Sequence, residues 1–352
     1  MKAGKTTSSA STSQPARSRP SSVVRRHVTA FGSHRGARSS LGMTGVSLNR
    51  STGVFSGGTG ASLAVVRPAM GRLSFEGFAV YGNGVVYYGD EKAAGAGNPA
   101  GGYFKFVPST LRALNAAPIT QLSQSPLASG KVYGFQTLQR GYGESYGVGR
   151  WVEVTATFDI DPSPTVVDLD LRKAAVDLKF SAYYRPEDID IDRGAEAQGL
   201  VRWCGNDTGR EQDLYFGETV CFSDGTIAAA GTNTATPAMQ PFVIGTTDLA
   251  MMDNMAFQPS RGNWLIHEDG ETTYTDPLTG AAVVHNNDLW MCLPDGGDAD
   301  SLSDGCVRIA SLNDLTAEWT GGIFDATGTR FFVSVQHPKT GHAVVLEITG
   351  WK

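Results

Sequence analysis

The chain has 352 residues, which is enough for one large domain or two ordinary ones. Hydrophobic residues make up 41% and charged residues 18%, and the 43 glycines are typical of a fold with many tight turns. No run of 18 or more apolar residues occurs, so the sequence predicts no transmembrane helix.

The net charge of −6 hides a strong asymmetry along the chain. Residues 1–75 contain eleven Lys and Arg and no Asp or Glu, which leaves 18 basic and 35 acidic residues, a net charge of −17, for residues 76–352. An acidic body of this kind argues against nucleic-acid binding and favours cations.

Residues 1–68 are rich in Ser, Thr, Gly and Arg and show little hydrophobic periodicity. This composition predicts a disordered segment. Two alternatives stay open, because a targeting segment and a mistranslated stretch would have a similar composition. We therefore expect two regions, the segment 1–68 and a folded region over residues 69–352.

The four cysteines, Cys204, Cys221, Cys292 and Cys306, form no C-x-x-C pair, so a structural zinc site is not indicated. Their even number allows two disulfides in an exported protein, and buried free thiols remain an equal alternative.

In chain order, the apolar runs at residues 78–81 and 85–88 flank Asn83-Gly84, which predicts a β-hairpin. Residues 169–178 are the one stretch with the pattern of a short helix. Further strands are predicted at residues 103–107, 150–160, 201–204, 213–216, 322–325, 331–335 and 343–348. Many short strands with Gly-rich turns indicate an all-β sandwich, barrel or propeller, and the repeated hairpins resemble those of a β-propeller.

Residues 188–192 alternate Asp-Ile-Asp-Ile-Asp, which is the pattern of a half-buried strand. Extended backward, this alternation places Glu187 and Arg185 on the same face as Ile189 and Ile191. A buried carboxylate and guanidinium are costly unless they are paired or bound to a metal. The alternative is a solvated turn at the start of the strand, where Pro186 breaks the alternation.

Several other carboxylates stand beside apolar runs. Glu76 lies between two phenylalanines, and Glu318 precedes a tryptophan near His337. Oxygen ligands of the kind that calcium prefers occur at Asp253 and Asp269, and Asp295, Asp298, Asp300 and Asp304 crowd one loop. In each case a surface or turn role remains the alternative.

Taken together, the ordered motifs over residues 69–352 resemble the PhoX-type alkaline phosphatases. The first motifs are Gly-Arg-x-x-x-Glu-Gly (71–77), Val-Tyr-Tyr-Gly-Asp-Glu (86–91), Tyr-Phe-Lys-Phe-Val-Pro (103–108) and Arg-Pro-Glu-Asp-Ile (185–189). The later motifs are Asp-Asn-Met-Ala-Phe (253–257), Asn-Asp-Leu-Trp (287–290), Glu-Trp-Thr-Gly (318–321) and Phe-Phe-Val-Ser-Val-Gln-His-Pro (331–338).

The resemblance implies a six-bladed β-propeller with an iron–calcium cluster (Fe3+ and Ca2+) that hydrolyses phosphomonoesters. It implies that Glu76 and Glu187 bind metal, that Glu318 binds calcium, and that Arg185 binds the phosphate. It also implies small phosphorylated substrates, and we expect a monomer. Members of the family are periplasmic or secreted, but the chain shows no signal peptide that would assign its location.

The chain departs from the family pattern upstream of Glu76. The family has an iron-ligating cysteine there, whereas residues 1–75 contain no Cys, Asp or Glu. Because the first blades also have no counterpart, the propeller is expected to be incomplete or the ligand set different. Two alternatives to the phosphatase are therefore kept, a non-catalytic calcium-stabilised propeller or remnant, and a calcium-dependent lactonase or esterase with His267 as its base.

Overall fold

The computed structural model describes residues 67–95, 97, 99–119, 124–137, 146–162, 167–270 and 273–351. The predicted disordered segment, residues 1–68, lies outside the described residues except for its last two positions. The described part of the chain is mostly β-sheet with few and short helices. No helix in it is long and apolar enough to cross a membrane.

The first unit is an antiparallel meander that begins with the predicted hairpin. Asn83 fixes the turn, because its side-chain oxygen accepts a hydrogen bond from Val85 N at 3.1 Å. Gly84 follows with φ +93°, a backbone conformation that favours glycine. The strands are β1 (Phe78–Val80), β2 (Val86–Gly89), β3 (Tyr103–Pro108), β4 (Gly130–Thr137) and β5 (Gly147–Glu153).

The helix α1 (Leu171–Asp177) follows the first unit and confirms the helix predicted over residues 169–178. Asp170 caps it, since its side chain accepts a hydrogen bond from Lys173 N at 2.9 Å. The helix buries Leu171 and Ala174 against the outer face of the first unit, in one apolar cluster with Phe104 and Val132.

The second unit is joined edge to edge to the first. Its strands are β6 (Pro186–Ile191), β7 (Leu200–Asp207), β8 (Glu218–Thr226) and β9 (Ala238–Ile244). Two short helices, α2 (Arg193–Ala197) and α3 (Ile227–Thr232), connect them. Because β9 also pairs with β5, the two units form one nine-stranded sheet with the order β1-β2-β3-β4-β5-β9-β8-β7-β6.

The third and fourth units complete the described residues. The third contains β10 (Met252–Phe257), β11 (Trp264–Glu268), the inserted hairpin β12 (Thr273–Thr275) and β13 (Ala282–Val284), then β14 (Asp288–Cys292) and β15 (Cys306–Ser311). The fourth contains β16 (Glu318–Phe324), β17 (Arg330–Gln336) and β18 (Val344–Thr349). Disulfides cross-link the neighbouring strands β7 to β8 and β14 to β15, through Cys204–Cys221 and Cys292–Cys306.

Apolar side chains fill the space between successive units. Trp203 and Phe222 of the second unit stack with ring centroids 4.2 Å apart and pack against Tyr87 of the first. Separate apolar clusters join the second unit to the third and the third to the fourth. As a result, the first strands of the units contact each other in chain order, β1 against β6, β6 against β10, and β10 against β16.

The predicted fold class is confirmed as β-rich, whereas a six-bladed propeller is not confirmed, because the described residues form four such units. One strand prediction, at residues 150–160, extended too far, and another was wrong. Strand β5 ends at Glu153, and a 3-10 turn occupies part of the stretch predicted after it. Residues 213–216 form no strand, because Leu214 has φ +58° after a second 3-10 turn.

Candidate functional site: a carboxylate and arginine centre

Three carboxylates from distant parts of the sequence meet where β1 and β6 adjoin. One oxygen from each of Glu76, Glu91 and Glu187 lies within 4.8 Å of the others. Glu76 precedes β1, Glu91 follows β2, and Glu187 lies in β6. The prediction that Glu187 lies on a buried strand face is confirmed, since the residue is 2% exposed, like Ile189 and Ile191.

The backbone forces Glu76 and Glu187 together at Gly77. Gly77 N donates a hydrogen bond to Glu187 O at 3.2 Å. A Cβ at position 77 would lie 2.0 Å from Ile189 N, so only glycine allows this approach. Glu91 is placed in turn by its own N–H, which donates to Ser74 O at 2.9 Å.

Arg185 lies among these carboxylates. Its Nη2 is 2.8 Å from Glu187 Oε1 and 3.2 Å from Glu91 Oε1. The residue adopts φ +57°, an uncommon conformation for arginine. Two hydrogen bonds hold this backbone, from Arg185 N to Lys92 O and from Thr208 N to Arg185 O, each 3.2 Å long. Arg185 therefore lies just before β6, and the predicted alternation does not extend to it. The alternative of solvated charges is wrong, because the Arg185 side chain is only 19% exposed.

The electrostatics of the centre reflect crowded and poorly hydrated negative charge. Burial, followed by the charge of Glu91, raises the pKa of Glu76 to about 8. Burial also raises the pKa of Glu187 well above its usual value, although Arg185 opposes this effect. Thr208 Oγ1 donates a hydrogen bond to Glu187 Oε1 at 2.9 Å. An additional positive charge would stabilise the ionised form of these carboxylates.

Asp253 and Asp269 lie at the side of the centre formed by the third unit. Asp253 is buried in β10, and burial, then the charges of Glu187 and Asp269, raise its pKa well above the usual value. Asp269 N donates a hydrogen bond to Met251 O at 3.0 Å, which places it beside the start of β10. Both residues interact with the centre electrostatically, but neither belongs to the close group of three carboxylates.

Glu318 begins β16 and does not join that group either. Its Oε1 accepts a hydrogen bond from Gln336 and lies 3.2 Å from His337 Nε2. Thr320, two residues later in the same strand, donates to the side-chain oxygen of Asn254 in β10, at 2.9 Å. Glu318 is thus held at the start of the fourth unit by its own partners.

Two residues of the centre were missed in the sequence. Glu91 lies inside the motif Val-Tyr-Tyr-Gly-Asp-Glu, so a signal was present, but nothing there distinguishes it from Asp90. Thr208 has no sequence signal, because it reaches Glu187 only through the pairing of β7 with β6.

The acidic loop has a structural explanation. Asp295, Asp298 and Asp300 each accept a hydrogen bond from the backbone N–H two residues later, at 2.8–3.0 Å. Asp304 accepts one from Gly296 N at 3.2 Å. Their carboxylates therefore stabilise turns, as the alternative interpretation of this loop predicts.

His267 does not have the surroundings expected of a general base. It is fully buried against Phe331, and burial lowers its pKa to about 3. Neither ring nitrogen has a hydrogen-bond partner among the described residues.

The fold and the site together define a β-rich protein with a buried centre of carboxylates around one arginine. The chain belongs to the alkaline phosphatase PhoX family, whose family model matches residues 59–339. The family is one of metal-dependent phosphatases. Comparisons with the curated proteins and with the solved structures found no match.

Proposed function

We propose that the chain is a phosphatase that hydrolyses small phosphomonoesters at the carboxylate and arginine centre. The observation that carries this proposal is the position of Arg185 between Glu187 and Glu91, beside Glu76. Phosphoryl transfer requires positive charge around the transferred group, and bound metal with an arginine supplies it. The guanidinium group also matches the oxygens of a phosphate in a bidentate contact.

The donor atoms of the centre fit calcium. Calcium takes about six to eight oxygen ligands at about 2.3–2.6 Å, mainly from carboxylates and carbonyls. Glu76, Glu91 and Glu187 would hold the ion, with Asp253 next to them. The raised pKa values of Glu76 and Glu187 support this assignment, because a cation would offset the repulsion and the cost of burial. Asp269 and Glu318 are proposed as outer ligands. Asp269 follows β11 and interacts electrostatically with Glu76 and Arg185, and Glu318 begins β16, which contacts β10.

A cysteine-ligated iron does not fit this chain. All four of its cysteines are joined in the disulfides Cys204–Cys221 and Cys292–Cys306. The chain therefore has no thiolate to offer as a ligand, and any Fe3+ here would have to bind to carboxylates. For this reason, calcium alone is the proposed cofactor of the centre.

The protein's own contribution to the reaction is to bind and orient the phosphate. A bound metal ion would neutralise phosphate charge and polarise the phosphoryl oxygens. Arg185 would donate N–H groups to two of these oxygens, and its backbone hydrogen bonds to Lys92 and Thr208 fix the direction from which it does so. Glu187 and Glu91 keep the guanidinium oriented before the substrate arrives.

The test is hydrolysis of p-nitrophenyl phosphate by the full chain with calcium, compared with the variants Arg185→Lys and Glu187→Gln. We expect Arg185→Lys to lower kcat/KM by about 100-fold, because one ammonium group cannot reproduce the bidentate contact. Glu187→Gln should lower both calcium affinity and turnover. The control is Glu153→Gln, an exposed residue that pairs with Lys131. Equal turnover in all four proteins would contradict the proposal.

The second candidate is a non-catalytic β-propeller stabilised by calcium. The absence of a thiolate ligand favours it, because the implied iron has no cysteine to bind. Calcium binding that depends on Glu187, without turnover of p-nitrophenyl phosphate, would select this candidate. The lactonase or esterase is not proposed further, since His267 is fully buried against Phe331 and has no hydrogen-bond partner among the described residues that could take up or orient a proton.

A further inference from the structure

A groove of about 350 Å³ lies beside the carboxylate and arginine centre. One wall is the chain that follows β2, with Asp90 and Lys92, and the other wall is α1, with Arg172. Ala175 and Val176 of the helix add an apolar surface. The groove thus combines charged groups with a surface for carbon atoms, as ligand sites usually do.

The groove and the centre share one segment of backbone. Glu91 belongs to the centre, whereas its neighbours Asp90 and Lys92 line the groove. Lys92 O accepts hydrogen bonds from Arg185 N at 3.2 Å and from Gly101 N at 2.9 Å. The backbone of Lys92 is therefore fixed next to that of Arg185, the residue proposed to hold the phosphate.

The other charges of the groove already have partners. Arg172 donates to both carboxylate oxygens of Asp90, with Nε at 2.8 Å and Nη2 at 2.7 Å. Lys173 forms an ion pair with Asp177, and Asp170 caps the helix. Lys92 alone among these basic side chains forms no ion pair with the described residues, and it is only partly exposed.

On the basis of the proposed function, we propose that this groove binds a second anionic group, carried by the alcohol part of the phosphomonoester, through Lys92. The phosphate would lie at Arg185, and the carbon skeleton would run along Ala175 and Val176. The preferred substrates would then be small phosphomonoesters that also carry a carboxylate. An uncharged alcohol of the same size would leave the charge of Lys92 without a partner in the groove.

Two matched esters test the inference. 3-Phosphoglycerate carries a carboxylate where glycerol 3-phosphate carries an uncharged hydroxymethyl group. In the unaltered chain with calcium, we expect the ratio of their kcat/KM values to favour 3-phosphoglycerate about fivefold, the effect of one partly exposed ion pair. Lys92→Met should bring this ratio close to one. The control is Lys131→Met. It removes an exposed lysine of β4 that pairs with Glu153 and does not line the groove, so it should keep the ratio.

The outcomes separate this inference from the proposed function. An unchanged ratio in Lys92→Met, measured on folded protein, would overturn the groove assignment while the phosphatase remains. If the chain hydrolyses neither ester, p-nitrophenyl phosphate still tests the phosphatase, and calorimetric titration of the same two esters tests the groove. Tighter binding of 3-phosphoglycerate that is lost in Lys92→Met supports the groove, and equal binding of both esters by the unaltered chain overturns it.

Discussion

At the scale of single residues, the centre depends on how closely two pieces of backbone approach. Gly77 lets the chain before β1 lie directly against β6, since a Cβ at this position would be 2.0 Å from Ile189 N. The backbone fixes the position of a Cβ, and Ile189 N is itself a backbone atom, so the clash cannot be relieved by rotating a side chain. Glycine is required here by contact and not by its φ angle.

This contact gives a prediction for Gly77→Ala. We expect the free energy of unfolding to fall by about 2 kcal/mol, because the added methyl group must displace β6. The same displacement separates Glu76 from Glu187, so calcium affinity should also fall. Urea unfolding and calcium titration measure the two effects. The matched control is Gly95→Ala, where a Cβ meets no atom within 4 Å. Equal stability of the two variants would show that residue 77 lies farther from the backbone of β6 than the structure indicates.

At the scale of secondary structure, the sequence predicts strands well where both alternation and a turn signal are present. The hairpin around Asn83 and the strand containing Ile189 and Ile191 are confirmed. The prediction failed at residues 213–216, where a run of only three apolar residues follows Asp213 without alternation and the chain turns at Leu214. Short apolar runs do not distinguish strands from turns.

Local sequence patterns also identified only part of the candidate site. Arg185, Glu76 and Glu187 were identified because their motifs occur in a specific order along the chain. Glu91 was missed, because its contact with Arg185 joins residues 94 positions apart in sequence. Such a pairing depends on which strands become neighbours, and local pattern does not contain that information.

The inserted hairpin β12–β13 is connected to the second unit by a contact that should depend on pH. His285, which follows β13, has Nε2 2.9 Å from Glu211 Oε1 and Nδ1 3.1 Å from Asn286 O. An acceptor beside each ring nitrogen favours the doubly protonated ring. The interaction with Glu211 raises the pKa of His285 from 6.5 to about 9, although partial burial opposes this.

The direction of the pH effect follows from this raised pKa. The folded state binds the proton more tightly than the unfolded state, so the contact stabilises fully below pH 6.5 and is lost as the pH rises through about 9. We therefore expect His285→Gln to lower the thermal midpoint at pH 6 and to have little effect at pH 10. Thermal unfolding at both values measures this, and His342→Gln, an exposed histidine in the turn before β18, is the control. The same loss at both pH values would show that packing, not charge, explains the effect.

At the scale of the whole molecule, negative charge gathers where the units meet. The first strands of the four units contact each other in chain order, and each carries or closely follows a carboxylate of interest, Glu76, Glu187, Asp253 or Glu318. Apolar packing between the units therefore brings these acids toward one region, although the net charge of −17 over residues 76–352 opposes this. A cation bound there would offset the repulsion between the carboxylates of neighbouring units.

Calcium should therefore stabilise the folded chain as a whole. A ligand that binds only the folded state at 100 times its Kd adds about 2.7 kcal/mol to the free energy of unfolding. We expect the thermal midpoint to rise by several degrees on adding calcium and to fall again with a chelator. Glu187→Gln should remove most of this shift, because it removes a buried charge from the centre, whereas Glu153→Gln should keep it. A full shift in both variants would place the stabilising calcium elsewhere, and the loop with Asp295 and Asp304 would then be the next place to test.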